Sequence, residues 1–190
     1  MKSRKGLETR RALIRSAYDL ISDSGIQPLK VASVCKTVGL RRNSFYTHFD
    51  DINNLLDALA EALLDRLRDG VDADLPLDRN NRTILRDRLN YILKAGRAEP
   101  KRARVIHQLY CFHRPTFNRL HNRVTSDVMF GVEHGHLNLP VKAATSLSRI
   151  VLASVMDVLR EIGSEESDEI DTDLVLDMLM TVTVAAGQTV

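Results

Sequence analysis

Aromatic residues are scarce in this chain of 190 residues, which has no Trp and only 5% Phe and Tyr. No convincing β-branched alternation accompanies them, so a strand-rich architecture is not indicated. The two cysteines, Cys35 and Cys111, predict no disulfide framework. No apolar run approaches the roughly 18 residues of a membrane span, and the basic start lacks the apolar core of a secretion signal. We therefore expect a cytoplasmic protein that has no membrane segment.

The residues that are abundant favour a helical globular protein, because 44% are hydrophobic and 27% are charged. Glycines and prolines fall where apolar-periodic segments begin or end. We predict an all-α fold of about nine helices in three parts: a DNA-binding domain at 1–50, a connecting helix at 51–70, and a larger helical domain at 71–190. The longer helices are predicted at 9–24, 52–70, 81–95, 100–112, 115–133, 141–162 and 171–186.

A helix-turn-helix is predicted between Val31 and Phe49. Val31, Val34 and Val38, together with Cys35, follow helical spacing and form one apolar stripe. Gly39 then allows a positive φ, which ends the first helix and turns the chain into a second one.

The second helix of this motif is anchored by Leu40, Phe45 and Phe49, which leaves a polar outer face. Arginine can bind guanine edges and asparagine adenine edges, while hydroxyl groups suit phosphates. An ordinary solvated helix face has the same composition, so the pattern alone keeps both interpretations open. The residues available on this face are Arg41, Arg42, Asn43, Ser44, Thr47 and His48.

The charge distribution favours the DNA-binding interpretation. Residues 1–50 hold ten Lys or Arg against four acids, a net charge of +6, whereas the whole chain carries only +2. The rest of the chain is therefore acidic, and the positive charge is concentrated around the predicted helix-turn-helix. Such an asymmetry is the electrostatic pattern expected of a phosphate-binding surface.

The two predicted C-terminal helices are more apolar than one core-facing stripe requires. A twofold dimer would cover the excess and would present two recognition helices to half-sites about 34 Å apart or a multiple of that. The alternative is a helix buried centrally in its own domain. The dimer candidates are Ile150, Val151, Val155, Leu159, Leu174, Met178 and Val182.

These features resemble the TetR family of transcriptional regulators over about residues 8–60. The resemblance rests on the Gly39-Leu40 turn, the block from Ser44 to Phe49, and the Leu55-Leu56 pair. It implies a three-helix DNA-binding domain, a leucine-rich fourth helix, and a helical domain that binds a ligand and dimerises.

Carried over by position, the family's DNA contacts imply a role for each polar residue of the motif. Ser44 and Tyr46 would contact phosphates, and Thr47 and His48 the groove or the backbone. The early residues Arg41, Arg42 and Asn43 would contact bases or phosphates. The chain has Ile52 where the family often has a phosphate-binding lysine, and Lys30 or the basic terminus would replace that contact.

The resemblance also implies a small-molecule cavity in the larger domain, with an effector that moves the fourth helix. The same side chains would serve equally as ordinary core. The candidate lining residues are Tyr91, Ile106, Tyr110, His113, Phe117, Leu120, Val124 and Met129.

The expected function is a ligand-responsive repressor that binds a palindromic DNA operator as a homodimer, without a metal or a cofactor. An enzyme is not predicted, because the chain has no nucleophile elbow, phosphate loop or dinucleotide fingerprint. The alternative is a helical protein–protein interaction module without sequence-specific DNA binding, in which the basic terminus serves solubility alone.

Overall fold

The computed structural model describes residues 4–78 and 83–164, and also 171, 173, 174, 177, 178 and 181. Within these residues the chain is helical and contains no strand. The helices are α1 (Arg4–Ser24), α2 (Val31–Thr37), α3 (Arg42–Tyr46), α4 (Ile52–Asp74), α5 (Ile84–Ala98), α6 (Pro100–Phe112), α7 (Arg114–Glu133) and α8 (Val141–Ile162).

The first three helices share a small core. Leu13, Ala17 and Ile21 of α1 are fully buried, and Val34 of α2 packs in the same cluster. A side chain also ties α1 to α2, because the buried hydroxyl of Ser16 donates to the carbonyl of Val34 over 3.2 Å. This bond satisfies two polar groups that burial would otherwise leave unpaired.

Helix α4 extends from this unit into the larger helical region. Its first turn is capped by Asp51, whose carboxylate accepts a hydrogen bond from the Asn54 backbone N–H at 2.8 Å. Leu55 and Leu59 are buried in the shared core and Leu63 and Leu64 continue the apolar face toward the second half. A single helix therefore belongs to both parts of the structure.

Helices α5 to α8 form the larger part of the core, in which α8 packs against α5, α6 and α7. A second connection to the first unit runs through α6. The guanidinium of Arg104 donates to the carbonyl of Ser22 at the end of α1 and to that of Gly163 after α8. Nearby, the Gln108 side chain accepts from the Ile26 backbone N–H at 3.3 Å. The two halves are thus joined through α6 as well as α4.

The predicted helix positions agree with the structure most closely for α6 and α8, and four other helices differ. Helix α5 lies three residues later than predicted, at Ile84–Ala98. Helix α1 begins at Arg4, before the predicted start, and α3 is shorter than the predicted second helix of the motif. Helix α4 continues past Gly70, which was expected to end it. A Cβ there would lie 2.6 Å from the Tyr91 hydroxyl, so this glycine permits close packing within a helix. Most of the predicted helix at 171–186 lies outside the described residues.

No helix in the part of the chain that the structure describes is long and apolar enough to cross a lipid bilayer.

Candidate nucleic-acid interface and internal cavity

The turn between α2 and α3 has the geometry that the sequence predicts for a helix-turn-helix. Gly39 has φ +66°, and its N–H donates to the Lys36 carbonyl at 3.2 Å. The following N–H of Leu40 donates to the Cys35 carbonyl at 2.9 Å. These paired bonds around a left-handed glycine are the Schellman arrangement that ends a helix. The turn sets the angle at which α3 leaves α2.

Helix α3 is held by its aromatic side chains and presents its polar residues outward. Phe45 and Phe49 are buried, with ring centroids 5.6 Å apart. Tyr46, by contrast, is 55% exposed. The remaining predicted contact residues divide into an exposed set and a half-buried pair: Lys30, Arg41, Arg42, Asn43 and Thr47 are exposed, whereas Ser44 and His48 are half-buried.

Arg10 of α1 supports this surface from behind, a role that the sequence analysis missed. Its guanidinium carbon lies 4.2 Å from the Phe49 ring centroid, and its Nη1 donates to the His48 carbonyl at 3.0 Å. Arg10 therefore fixes the end of the motif through a cation–π contact and a hydrogen bond. Helical spacing within α1 cannot reveal this, because the contact partner lies 38 residues away.

The larger part of the molecule encloses a cavity of about 290 Å³ between α4, α5, α6, α7 and α8. Most of its wall is apolar. The apolar lining residues are Leu64, Leu67, Val71, Leu85, Leu89, Ile92, Ile106, Leu120, Val124, Leu152, Val155, Met156 and Leu159.

A network of four charged side chains lies beside this cavity, and three of them, Arg88, Arg123 and Asp127, belong to its lining. Arg88 of α5 is only 2% exposed; it donates to Asp72 of α4 at 2.6 Å and lies 3.4 Å from Asp127 of α7. Its Nη1 also donates to the Leu75 carbonyl at 2.7 Å. Arg123 of α7 is within 2.5 Å of the same Asp72 carboxylate and 3.6 Å from Asp127. Two guanidiniums and two carboxylates thus connect α4, α5 and α7.

The two carboxyl groups of this network have pKa shifts of opposite direction. Burial raises the pKa of Asp127, and the positive charges of Arg88 and Arg123 offset only part of that rise. Burial also acts to raise the pKa of Asp72, but hydrogen bonds and charge from Arg88 and Arg123 outweigh it and lower the pKa. Asp72, the more exposed of the two carboxyl groups, is therefore the one that the arginines stabilise more strongly in its charged form.

Three of the predicted cavity residues, Ile106, Leu120 and Val124, line the cavity. The other five lie outside the lining of this cavity. Tyr91 packs against Gly70, and the Tyr110 and Phe117 rings pack at a tilt with their centroids 5.5 Å apart. His113 is buried at the junction of α6 and α7, where it shares a hydrogen bond with Thr116 at 2.8 Å, and Met129 packs against the core outside the lining.

The sequence analysis missed the polar end of the cavity altogether. Its one available signal was Arg88, a charge that interrupts the apolar face formed by Leu85, Leu89 and Ile92. A charged residue at a core-facing position implies a buried partner. The partner's identity depends on how α4 and α7 pack against α5, which periodicity does not show.

The predicted dimer residues also divide. Val151, Val155 and Leu159 are buried in the core of their own subunit, so they cannot form the outer face that was expected of them. Ile150 lies on a different side of α8 and is 51% exposed, and Leu174 and Met178 are also exposed. Val182 lies outside the described residues.

Metal-binding clusters are not found in the described part of the chain, where no three His, Cys, Asp or Glu side chains are grouped to hold an ion. His107 and Cys111 are close, with 3.4 Å between Nε2 and Sγ, but they form only a pair.

No family profile matches the chain. Sequence comparison does find relatives, which are tetracycline repressor proteins and an HTH-type transcriptional regulator. The tetracycline repressor protein class C of Escherichia coli is 40% identical over 55 residues, which is 29% of this chain and 25% of the repressor. The match thus spans about a quarter of that relative's length.

Comparison of folds extends the likeness over nearly the whole chain. A putative TetR-family transcriptional regulator from Syntrophomonas wolfei superposes with a TM-score of 0.72, covering 96% of both chains at 13% identity. The chain therefore shares the fold of that regulator over nearly its whole length. Two further structures of similar fold were solved with bound partners. BioQ with its double-stranded DNA operator gives a TM-score of 0.63 at 14% identity, covering 93% of this chain and 98% of BioQ. RolR with the ligand resorcinol gives a TM-score of 0.63 at 23% identity, covering 97% of this chain and 92% of RolR.

Proposed function

We propose that this chain is a TetR-family, ligand-responsive transcriptional repressor that binds a palindromic DNA operator as a homodimer. The observation that carries the proposal is the exposed cationic face of α3. Arg41, Arg42, Asn43 and Tyr46 lie outward while Phe45 and Phe49 fix the backbone beneath them. The similarity to BioQ, which was solved with operator DNA, supports the same use of this face.

The homodimer is proposed from the outer face of α8. Ile150 is an exposed large hydrophobic residue there, and the small side chains of Ser146 and Ala153 are exposed about one turn before and after it. A large apolar side chain flanked by small ones suits the self-complementary patch that a twofold dimer needs. Light scattering of wild type and Ile150→Glu tests it, with a dimer expected for the first and a monomer for the second.

The effector is proposed to occupy the cavity between α4 and α8. The cavity is apolar with a few polar groups at one end, as small-molecule sites commonly are. Its wall includes Leu64 and Val71 of α4, the helix that also contributes to the core of the DNA-binding part. This supports a binding protein rather than a catalyst. We place the proposed repressor in the cytoplasm because its proposed partner is DNA.

Selection of DNA fragments from a random library tests the DNA-binding proposal, followed by affinity measurements on the enriched duplex. Arg42→Ala with Tyr46→Phe is expected to weaken binding about ten- to a hundredfold, because a base contact and a phosphate contact are lost. Lys94→Ala, which removes an exposed cationic side chain of α5, is the control and is expected to bind as wild type does.

The alternative is a helical interaction module without sequence-specific DNA binding. It would be supported if the selection enriches no sequence, or if the double variant binds the selected duplex as tightly as wild type. Affinity that falls steeply between about 50 and 200 mM salt is the expected result for the repressor, since phosphate contacts release counterions.

A further inference from the structure

The carboxylate of Asp127 is incompletely satisfied at the polar end of the cavity. Its side chain is 14% exposed, and Oδ2 lies 3.4 Å from Arg88 Nε. Oδ1 is buried and accepts no hydrogen bond from any described residue; Arg123 Nε is 3.6 Å away. Asp127 also belongs to the lining of the cavity. A lining carboxylate with so few hydrogen bonds favours a ligand that brings a donor.

The arginines that line the cavity already have carboxylate partners. Arg88 and Arg123 share Asp72, and both lie near Asp127. Arg68 lies 3.3 Å from Asp65, and Arg119 lies 3.9 Å from Glu61. Each of these pairs offsets the charge of a lining arginine, and an anionic ligand would in addition lie near the Asp127 carboxylate. The charge balance therefore disfavours an acid as the ligand.

The size and lining of the cavity limit the rest of the ligand. At about 290 Å³, the cavity has about twice the volume of a roughly 150 Å³ apolar cavity that holds benzene. Leu89, Ile92, Ile106 and Met156 face it from three helices. A compact molecule of one or two rings, or a short branched chain, matches these dimensions.

We propose that the cavity binds an uncharged, mainly apolar small molecule whose hydroxyl or N–H group donates a hydrogen bond to the carboxylate of Asp127. This inference rests on the proposed function, since it names the chemical class of the effector. The burial that raises the pKa of Asp127 agrees with it, because a donor would stabilise the carboxylate that the apolar wall disfavours.

Three probes of one shape test the proposal by calorimetry at pH 7: 2-naphthol, 2-methylnaphthalene and 2-naphthoate. The naphthol donates a hydrogen bond, the methyl compound is its apolar counterpart, and the naphthoate is an anion. We expect 2-naphthol to bind about tenfold more tightly than the methyl compound, the effect of one hydrogen bond to a charged acceptor. The naphthoate is expected to bind most weakly.

Variants of α7 assign this preference to a residue. Asp127→Leu is expected to abolish the preference for 2-naphthol over 2-methylnaphthalene. Asp127→Asn still offers one side-chain oxygen as an acceptor, so this variant is expected to keep part of the preference for 2-naphthol. Glu133→Gln, at an exposed position of the same helix, is the control and is expected to leave all three affinities unchanged. Thermal unfolding establishes that each variant is folded, and the three wild-type affinities are informative even if one variant is not.

The proposal is overturned if the naphthoate binds most tightly, if the preference survives in Asp127→Leu, or if wild type binds none of the probes. Operator affinity measured on the same preparation separates this result from the proposed function. Intact operator binding with no naphthol preference rejects only the ligand class. A naphthol preference without operator binding rejects the repressor and leaves the cavity assignment in place.

Discussion

Charged side chains are used in opposite ways in the two halves of this molecule. Around α3, Arg41 and Arg42 are exposed and lie on a surface fixed by buried aromatic rings. Around the cavity, Arg88 is buried and its charge is balanced by Asp72 and Asp127. A cationic surface is available to an external polyanion, whereas a neutralised network stabilises the packing of helices. The comparison shows that residue type alone does not indicate which of these roles an arginine has.

The largest effect is expected from removing the buried partner of the cavity network. Arg88→Met would remove the guanidinium that lies 3.4 Å from Oδ2 of Asp127 and 2.6 Å from the carboxylate of Asp72. Breaking a buried ion pair from one side costs about 3–5 kcal/mol of unfolding free energy. Urea unfolding at fixed protein concentration measures it.

Arg86→Met on the same helix is the matched control for this change. Arg86 pairs with Asp177 near the surface, where an ion pair contributes about 0–1 kcal/mol. The double variant Arg88→Met with Asp127→Leu is expected to recover much of the loss, since it removes both buried charges. Equal losses for Arg86→Met and Arg88→Met would contradict the contrast between surface and buried arginines.

A smaller effect is expected from substituting two glycines of similar conformation, one in each half of the molecule. Gly39 and Gly135 both have positive φ, and an added Cβ at either would meet no atom within 4 Å. Alanine at each therefore costs only the left-handed backbone, about 1–2 kcal/mol. Thermal or urea unfolding is expected to show similar losses, but only Gly39→Ala is expected to weaken operator binding, because it alters the approach to α3. Similar operator affinities for the two variants would argue against α3 as the DNA-binding helix.

The smallest effect expected is a contribution of His113, at the junction of α6 and α7, to the pH dependence of stability. Burial lowers the pKa of His113, Asp57 of α4 opposes that shift, and Arg119 adds to it. The unfolded chain then takes up this proton first as the pH falls below about 6.5, so stability decreases toward lower pH. Urea unfolding of wild type and His113→Gln at pH 7.5 and 5.5 measures the difference. If the unfolding free energy changes by the same amount between the two pH values in both proteins, His113 does not contribute to the pH dependence of stability.

Much of the DNA-binding part was predictable because its signals are local. The spacing of Val34 and Cys35, the glycine at 39, and the alternation of Phe45 with Tyr46 each depend on neighbours within a few residues. The structure confirms the helix-turn-helix geometry and the outward position of Tyr46. Arg10 was missed because its contact with His48 spans 38 residues.

The cavity was predictable only in part. The cavity candidates implied by the family resemblance included Ile106, Leu120 and Val124, which line the cavity, but also Tyr110 and Phe117, which pack on each other. On α8 the apolar pattern could not separate the buried Val151 from the exposed Ile150, because apolar residues cover more than one side of this helix.

The amino-acid sequence by itself determined the helices, the turn at Gly39, and the concentration of positive charge in the first 50 residues, because each follows from local spacing and composition. Only the tertiary structure decided that Arg88, Asp72, Asp127 and Arg123 meet at one end of a cavity. Their positions come from three helices that are distant in the sequence. The energy of such a network depends on distances and burial, which exist only once those helices have packed.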